Sequence, residues 1–179
     1  MADNGNGVLK VSTAKLSVIS NVLLIVMKVA VGAAIGSVSV ISEAIHSGID
    51  LLAAIIAFIA VRKSNEPPDD LHKFGHGKVE NVSGMIEGAL IFLAILLILH
   101  QAYEKLKTGH YVSDVDMGIA IMLISGILNF AISARLMKVA KKTDSLALEA
   151  DAYHLRTDAY TSFGVFAGLG LIRLTGWGI

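Results

Sequence analysis

The chain has 179 residues, 54% of them hydrophobic and 17% charged, with no formal net charge and a mean hydropathy of +0.67. That hydropathy exceeds the mix of water-soluble globular domains, so the composition is that of a membrane protein, and no nucleic-acid partner is expected. The absence of cysteine excludes a disulfide framework and a thiolate metal site, leaving histidine, methionine and carboxylate for any soft-metal chemistry.

In chain order, residues 1–13 read as a cytoplasmic tail. Met1 to Gly7 is polar and lacks both the basic and the apolar region of a secretory signal, and it is expected to be a disordered lead-in. Five transmembrane helices are predicted at roughly 14–36, 39–62, 80–107, 113–139 and 144–175, each holding an apolar stretch near the length a bilayer core requires. Gly36-Ser37 ends the first, Pro67-Pro68 lies in the second loop, and Gly109 precedes the fourth. The fifth is the weakest span, because its first half carries Glu149, Asp151, His154, Arg156 and Asp158. The fold class is therefore an all-α bundle of transmembrane helices. Gly32/Gly36, Gly84/Gly88 and Gly164/Gly168 form G-x-x-x-G pairs, read as points of close helix packing.

Lys10, Lys15, Arg62, Lys63, Lys73, Lys78, Arg135, Lys138, Lys141 and Lys142 fall on one side of the predicted membrane. Lys105, Lys107 and Arg173 fall on the other, while Lys28 and Arg156 lie within helices. The excess of basic residues puts the N-terminus in the cytoplasm, and an odd number of spans would put the C-terminus outside. Because the chain stops at Trp177-Gly-Ile179, just past the fifth span, it reads as a piece of a longer protein.

His46 and Asp50 are four residues apart on the second helix, and His154 and Asp158 repeat that spacing on the fifth. Residues at i and i+4 share a helix face about 6 Å apart. If the helices alternate direction, the second and fifth are antiparallel, so His46 is level with Asp158 and Asp50 with His154. Two imidazole nitrogens and two carboxylate oxygens then close a tetrahedron suited to zinc. The bound charge offsets the cost of burying ionisable groups in lipid, which are functional by default. The alternative is that the histidines and aspartates pair with one another, or with Lys28, Arg156 and Asn21, as interhelical glue. Neither histidine ligates while protonated, so metal capture releases protons near neutral pH.

Between the second and third helices, "EPPDDLHKFGHGKVE" gathers Asp69, His72 and His76, with Asp70 as an optional fourth ligand, into a possible second metal site. Pro67-Pro68 stiffens the approach and Gly75 permits a tight bend. His100 and His110 read as interfacial anchors, and the scattered methionines as packing. Glu43 and Glu87 either line a polar cavity or snorkel, and Glu149 and Asp151 suit the N-terminal dipole of the fifth helix. An intramembrane zinc hydrolase would need an open coordination position and a general base, as in H-E-x-x-H, which the chain lacks. A ligand-free structural bundle is a further rival.

"SEAIHSGIDLLA", "DDLHKFGHGKVE" and "ALEADAYHLRTDAYTS", in this order, resemble the cation diffusion facilitator family, and the resemblance covers nearly the whole chain. It implies efflux of divalent transition metals from the cytoplasm by proton antiport, a secondary transporter and not an enzyme. It implies a transport site of His46, Asp50, His154 and Asp158. Asp69, His72 and His76 would form the loop site, Lys78 would be a structural or dimer-contact residue, and Asn21 would face the transport site. Many bacterial members have Asp at the place of His46, so the histidine resembles the zinc-selective branch and disfavours cadmium. Zn2+ is the expected cargo, with iron, cobalt, manganese or cadmium as alternatives. Family members have six membrane helices, a cytoplasmic metal-binding domain and a homodimeric assembly, so a sixth helix and that domain are expected to be missing here. The expected location is the bilayer of a bacterial inner membrane.

Overall fold

The structure, a computed structural model, describes residues 2–35, 38–108 and 115–175. Gly36, Ser37, Gly109, His110 and Trp177–Ile179 lie outside the described residues, as do the side chains of Glu43, Lys105 and Met117. Five helices follow one another: α1 (Ala2–Ile35), α2 (Val38–Ser64), α3 (Lys78–Thr108), α4 (Val115–Thr143) and α5 (Leu146–Thr175). The N-terminus differs from expectation, because α1 is already helical at Ala2 where a disordered lead-in was predicted. Glycine and asparagine disfavour helix locally, but this turn has tertiary neighbours that override propensity. A Cβ on Gly7 would lie 3.1 Å from Asn65 Oδ1 at the far end of α2, and Lys10 Nζ reaches Glu80 Oε1 of α3 at 2.7 Å.

Contacts between side chains set the directions. Gly7 meets Asn65 and Lys28 meets Ser47, so α1 and α2 are antiparallel. Ser133 Oγ donates to Ala152 O at 2.7 Å, Gly126 abuts Phe163, and Arg173 Nε pairs with Asp116 Oδ1 at 2.9 Å, so α4 and α5 are antiparallel too. By contrast, Ser145 Oγ donates to Glu80 and Gly84 faces Leu146 and Ala150, which makes α3 and α5 parallel neighbours. One end of the bundle, here the loop end, therefore holds the starts of α1, α3 and α5 and the ends of α2 and α4.

The α4–α5 corner is made by Asp144, at φ 48°, and Ser145. The Ser145 N–H donates back to Ala140 O at 3.1 Å, and Asp is one of the few side chains tolerated in the left-handed region. Ser145 then caps α5: its carbonyl accepts from Glu149 N at 3.1 Å and its Oγ from Leu148 N at 3.4 Å.

The apolar core sits toward the loop end, where Ala14, Ala60, Val61, Leu136, Ala147, Leu148, Ala152 and Leu155 are fully or nearly fully buried. Its alanines let the helices approach closely. Elsewhere the pattern is inverted relative to a soluble protein. Thr13, Ser17 and Asn21 on α1 and Ser125, Asn129 and Ser133 on α4 are buried at four-residue spacing, while Leu23, Val26, Ile59, Phe92 and Ile127 face outward. Such a surface requires an apolar solvent. Among the described residues, α1, α3 and α4 are long and apolar enough to cross a membrane, and α2 and α5, the carriers of the paired histidines and aspartates, are not in that set.

The glycine pairs do less than expected. Gly84 touches α5, but a Cβ on Gly88, Gly164 or Gly168 would meet open space. Among the described glycines, the least room for a side chain is at Gly126, outside any G-x-x-x-G pair, where a Cβ would be 2.7 Å from the Phe163 ring.

Candidate metal centre

His46 and Asp50 project from α2 just before the run of buried Ala53, Ala54 and Ala57. From α5, His154 and Asp158 face them. His154 Nε2 lies 3.4 Å from Asp50 Oδ1 and 3.6 Å from Asp158 Oδ2, and ligand atoms of His46, Asp50 and Asp158 all lie within 4.8 Å of one another. The antiparallel levelling of Asp50 with His154 is thus present. The side chains of His154, Asp50 and Asp158 are only 3%, 9% and 15% exposed. His154 Nε2 and Asp158 Oδ2 are buried without a hydrogen bond. His154 approaches both carboxylates without a hydrogen bond, and the set whose ligand atoms all lie within 4.8 Å of one another is His46, Asp50 and Asp158. Bonds of about 2.0–2.2 Å to a tetrahedral ion imply edges of about 3.3–3.6 Å between ligand atoms. The two measured contacts of His154 have that length.

The surroundings supply further polar groups. Lys28 of α1, weighed above as a possible partner of the cluster, is buried and donates to Ser47 Oγ at 2.7 Å, next to His46. Asn21, expected to face the cluster, is buried and donates to Ser17 O of its own helix at 3.1 Å. Arg156 instead sits over the Phe130 ring at 6.0 Å. A cavity of about 140 Å³ between α3 and α5 is lined by His154, Thr157, Asp158 and Thr161 on one wall and by Ile91, Ile95 and Ile98 on the other. It extends from the cluster away from the loop end.

The loop brings Asp69, His72 and His76 together. His72 Nδ1 lies 3.0 Å from Asp69 Oδ1, His76 Nε2 lies 3.2 Å from Asp69 Oδ2, and the imidazole centroids are 4.4 Å apart. Gly75, at φ 82°, makes the bend that returns His76 to Asp69. Asp69 Oδ1 also accepts from the N–H of His72 at 2.6 Å and of Leu71 at 3.0 Å. These donors, the His72 N–H foremost, hold the exposed Asp69 carboxyl below the usual carboxylate range. Asp69 is therefore a turn cap as well as a possible ligand. His76 is buried with neither ring nitrogen hydrogen-bonded, which is the stronger sign of a missing partner. Asp70 and Lys78 are exposed.

Sequence reasoning passed over Glu80, the last residue of F-G-H-G-K-x-E. It is 4% exposed and accepts hydrogen bonds from Lys10 of α1, Ser64 of α2 and Ser145 of α5, tying four helices together beneath the loop. Its invisible signal was three-dimensional, since these partners are scattered over more than a hundred residues. Glu87, expected either to line a polar cavity or to snorkel, and Asp151, expected to serve the helix dipole, are both completely buried, which rules out snorkelling for Glu87.

Residues 14–179 match the family described as cation efflux transmembrane domain. The chain belongs to that family. An uncharacterized transporter of Synechocystis sp. is 39% identical over 151 residues, which are 84% of this chain and 49% of the relative. An uncharacterized transporter of Methanocaldococcus jannaschii is 32% identical over 154 residues, 86% of this chain and 54% of the relative. The cation-efflux pump FieF of Shewanella oneidensis is 29% identical over 163 residues, 91% of this chain and 55% of the pump. The cation efflux chain thus spans about half the length of the curated relatives it matches.

Proposed function

We propose that this cation efflux chain is the membrane part of a secondary transporter that exports zinc from the cytoplasm in exchange for protons. His46, Asp50, His154 and Asp158 are the transport site. The observation that carries the reading is the convergence of two antiparallel helices on one buried point, with His154 Nε2 at tetrahedral-edge distances from two carboxylates. Two carboxylates neutralise a divalent charge in a low-dielectric interior, and two imidazoles favour zinc over hard cations. Both ligand types lose affinity when protonated, so metal and protons compete for the same atoms. The printed name of the Shewanella relative, a cation-efflux pump, supports export of a cation.

The remaining parts of the reading follow from it. The loop end faces the cytoplasm, because it carries the larger share of basic residues. The location is a bacterial inner membrane. The complete protein adds a sixth helix and a cytoplasmic domain and works as a homodimer. Asp69, His72 and His76 form a second, cytoplasmic metal site, favoured by the buried and unpartnered ring of His76.

The test is flux. In the full-length protein reconstituted in vesicles, a zinc gradient should drive counter-movement of protons, and Asp158→Ala should abolish it. Wild-type flux in that variant would remove Asp158 from the transport site.

A further inference from the structure

One helical turn toward the loop end from the metal cluster, α3 and α5 bring two buried carboxylates to one level of the bundle. Ser145 meets Glu80 and Gly84 faces Leu146 and Ala150, so the parallel register brings Glu87 to the level of Asp151. Both are 0% exposed. Glu87 Oε1 accepts from Ser83 Oγ at 3.1 Å, but Glu87 Oε2 and both oxygens of Asp151 are buried without a hydrogen bond. The Ser17 hydroxyl of α1, likewise buried without a hydrogen bond, lies beside Asp151. Glu87 and Asp151 interact electrostatically with each other and with His154, although no ion pair joins either to it among the described residues. Asp151 precedes His154 by three residues, about 4.5 Å along the same helix face.

Two ionised carboxylates cannot both remain charged at such a place without a cation. The charged groups around them are few. His154 lies on the distal side, with Asp50 and Asp158 beyond it, and the Lys10–Glu80 ion pair lies two turns toward the loop end. Lys10 is committed to Glu80, and among the described residues α1 adds the hydroxyls of Thr13 and Ser17, the Asn21 amide and, farther along beside the cluster, Lys28 on Ser47. A proton on one of the two carboxyls removes a charge that nothing nearby neutralises, at the least cost.

We propose that Glu87 and Asp151, with the Ser17 hydroxyl, form a proton-binding pair that gives up its proton when a cation occupies the His46–Asp50–His154–Asp158 cluster. The proposal rests on the transport-site reading for its trigger. The carboxyl O–H breaks heterolytically as the nearby positive charge raises the cost of the bound proton. The proton leaves along the α3 face on which Glu87, Ser83 and Glu80 are aligned at i, i−4 and i−7, toward water at the loop end. The pair thus adds a proton to those displaced from the ligands themselves.

Infrared spectroscopy and proton counting test this on the chain in lipid nanodiscs. Zinc-free protein at neutral pH should show a protonated-carboxyl C=O band that disappears in both Glu87→Gln and Asp151→Asn and shifts in Ser17→Ala. Zinc addition should remove the band from the parent, and both variants should release about one proton fewer per zinc bound. Absence of the band from zinc-free parent, or its persistence in both variants, overturns the proposal whatever the cluster binds. Zinc binding that leaves the band and the proton count unchanged also overturns it. Zinc binding insensitive to Asp158→Ala would instead sink the transport-site reading, while the zinc-free band would still report on the pair.

Discussion

Replacing Asp50 by Asn preserves shape and packing at a side chain that is 9% exposed and 3.4 Å from His154 Nε2, while removing one of two charges that would neutralise a divalent ion. Leaving a buried charge without its partner costs about 3–5 kcal/mol, so zinc affinity should fall by roughly two to four powers of ten. Calorimetric titration in a His72→Ala/His76→Ala background reads the intramembrane site alone. Thermal unfolding gives a second measure. Zinc at a hundred times the parent's Kd should stabilise the parent by about 2.7 kcal/mol, or about 5–11 °C, and the Asp50→Asn variant hardly at all. Zinc-free stability should change little, because Asp158 stays 3.6 Å from His154 Nε2 as the remaining partner. Affinity within about threefold of the parent would refute the reasoning, whereas a large loss of zinc-free stability with an unchanged zinc increment would mark the four residues as a structural ion-pair cluster. Exposed Asp70→Asn is the control and should be silent.

Glu80→Ala should destabilise the bundle by about 3–5 kcal/mol, because it strips the partner from Lys10, whose side chain is 15% exposed, and from two serine hydroxyls. A melting temperature within a few degrees of the parent would contradict the latch role. Gly126→Ala should cost about 1–3 kcal/mol, since its Cβ would lie 2.7 Å from Phe163, and Phe163→Leu should restore part of the loss in the double variant. An unchanged melting temperature in the single variant would show that the α4–α5 seam yields. The loop should depend on pH through Asp69. Its carboxyl is held below the ordinary 3.8 in the folded loop, so its contribution is present above that value and is lost as pH falls through the lowered one. Hydrogen exchange at the Leu71 and His72 amides, corrected for intrinsic rates, should therefore accelerate below about pH 3.8 in the parent, but be pH-independent in Asp69→Asn.

The helices and the two polar pairs were legible in the chain because local physics writes them there. A stretch of about 20 apolar residues has few alternatives to a helix in lipid, and H-x-x-x-D at i and i+4 places both groups on one face wherever the helix goes. The loop motif and its Gly75 bend were equally local. What needed the tertiary structure were the facts that depend on which helices touch. The α1 turn from Gly7 to Lys10 is packed because Asn65 and Glu80, far along the chain, give it partners. Gly126, alone in its sequence neighbourhood, has the least room for a side chain among the described glycines because Phe163 lies opposite, while Gly88, Gly164 and Gly168 of the regular pairs meet open space. Glu80 gathers residues from α1, α2 and α5, and Glu87 comes level with Asp151 only through the parallel register of α3 and α5. A sequence specifies the period of a helix and the chemistry on each face; burial and partnership are properties of pairs of faces, and only the packed bundle decides them.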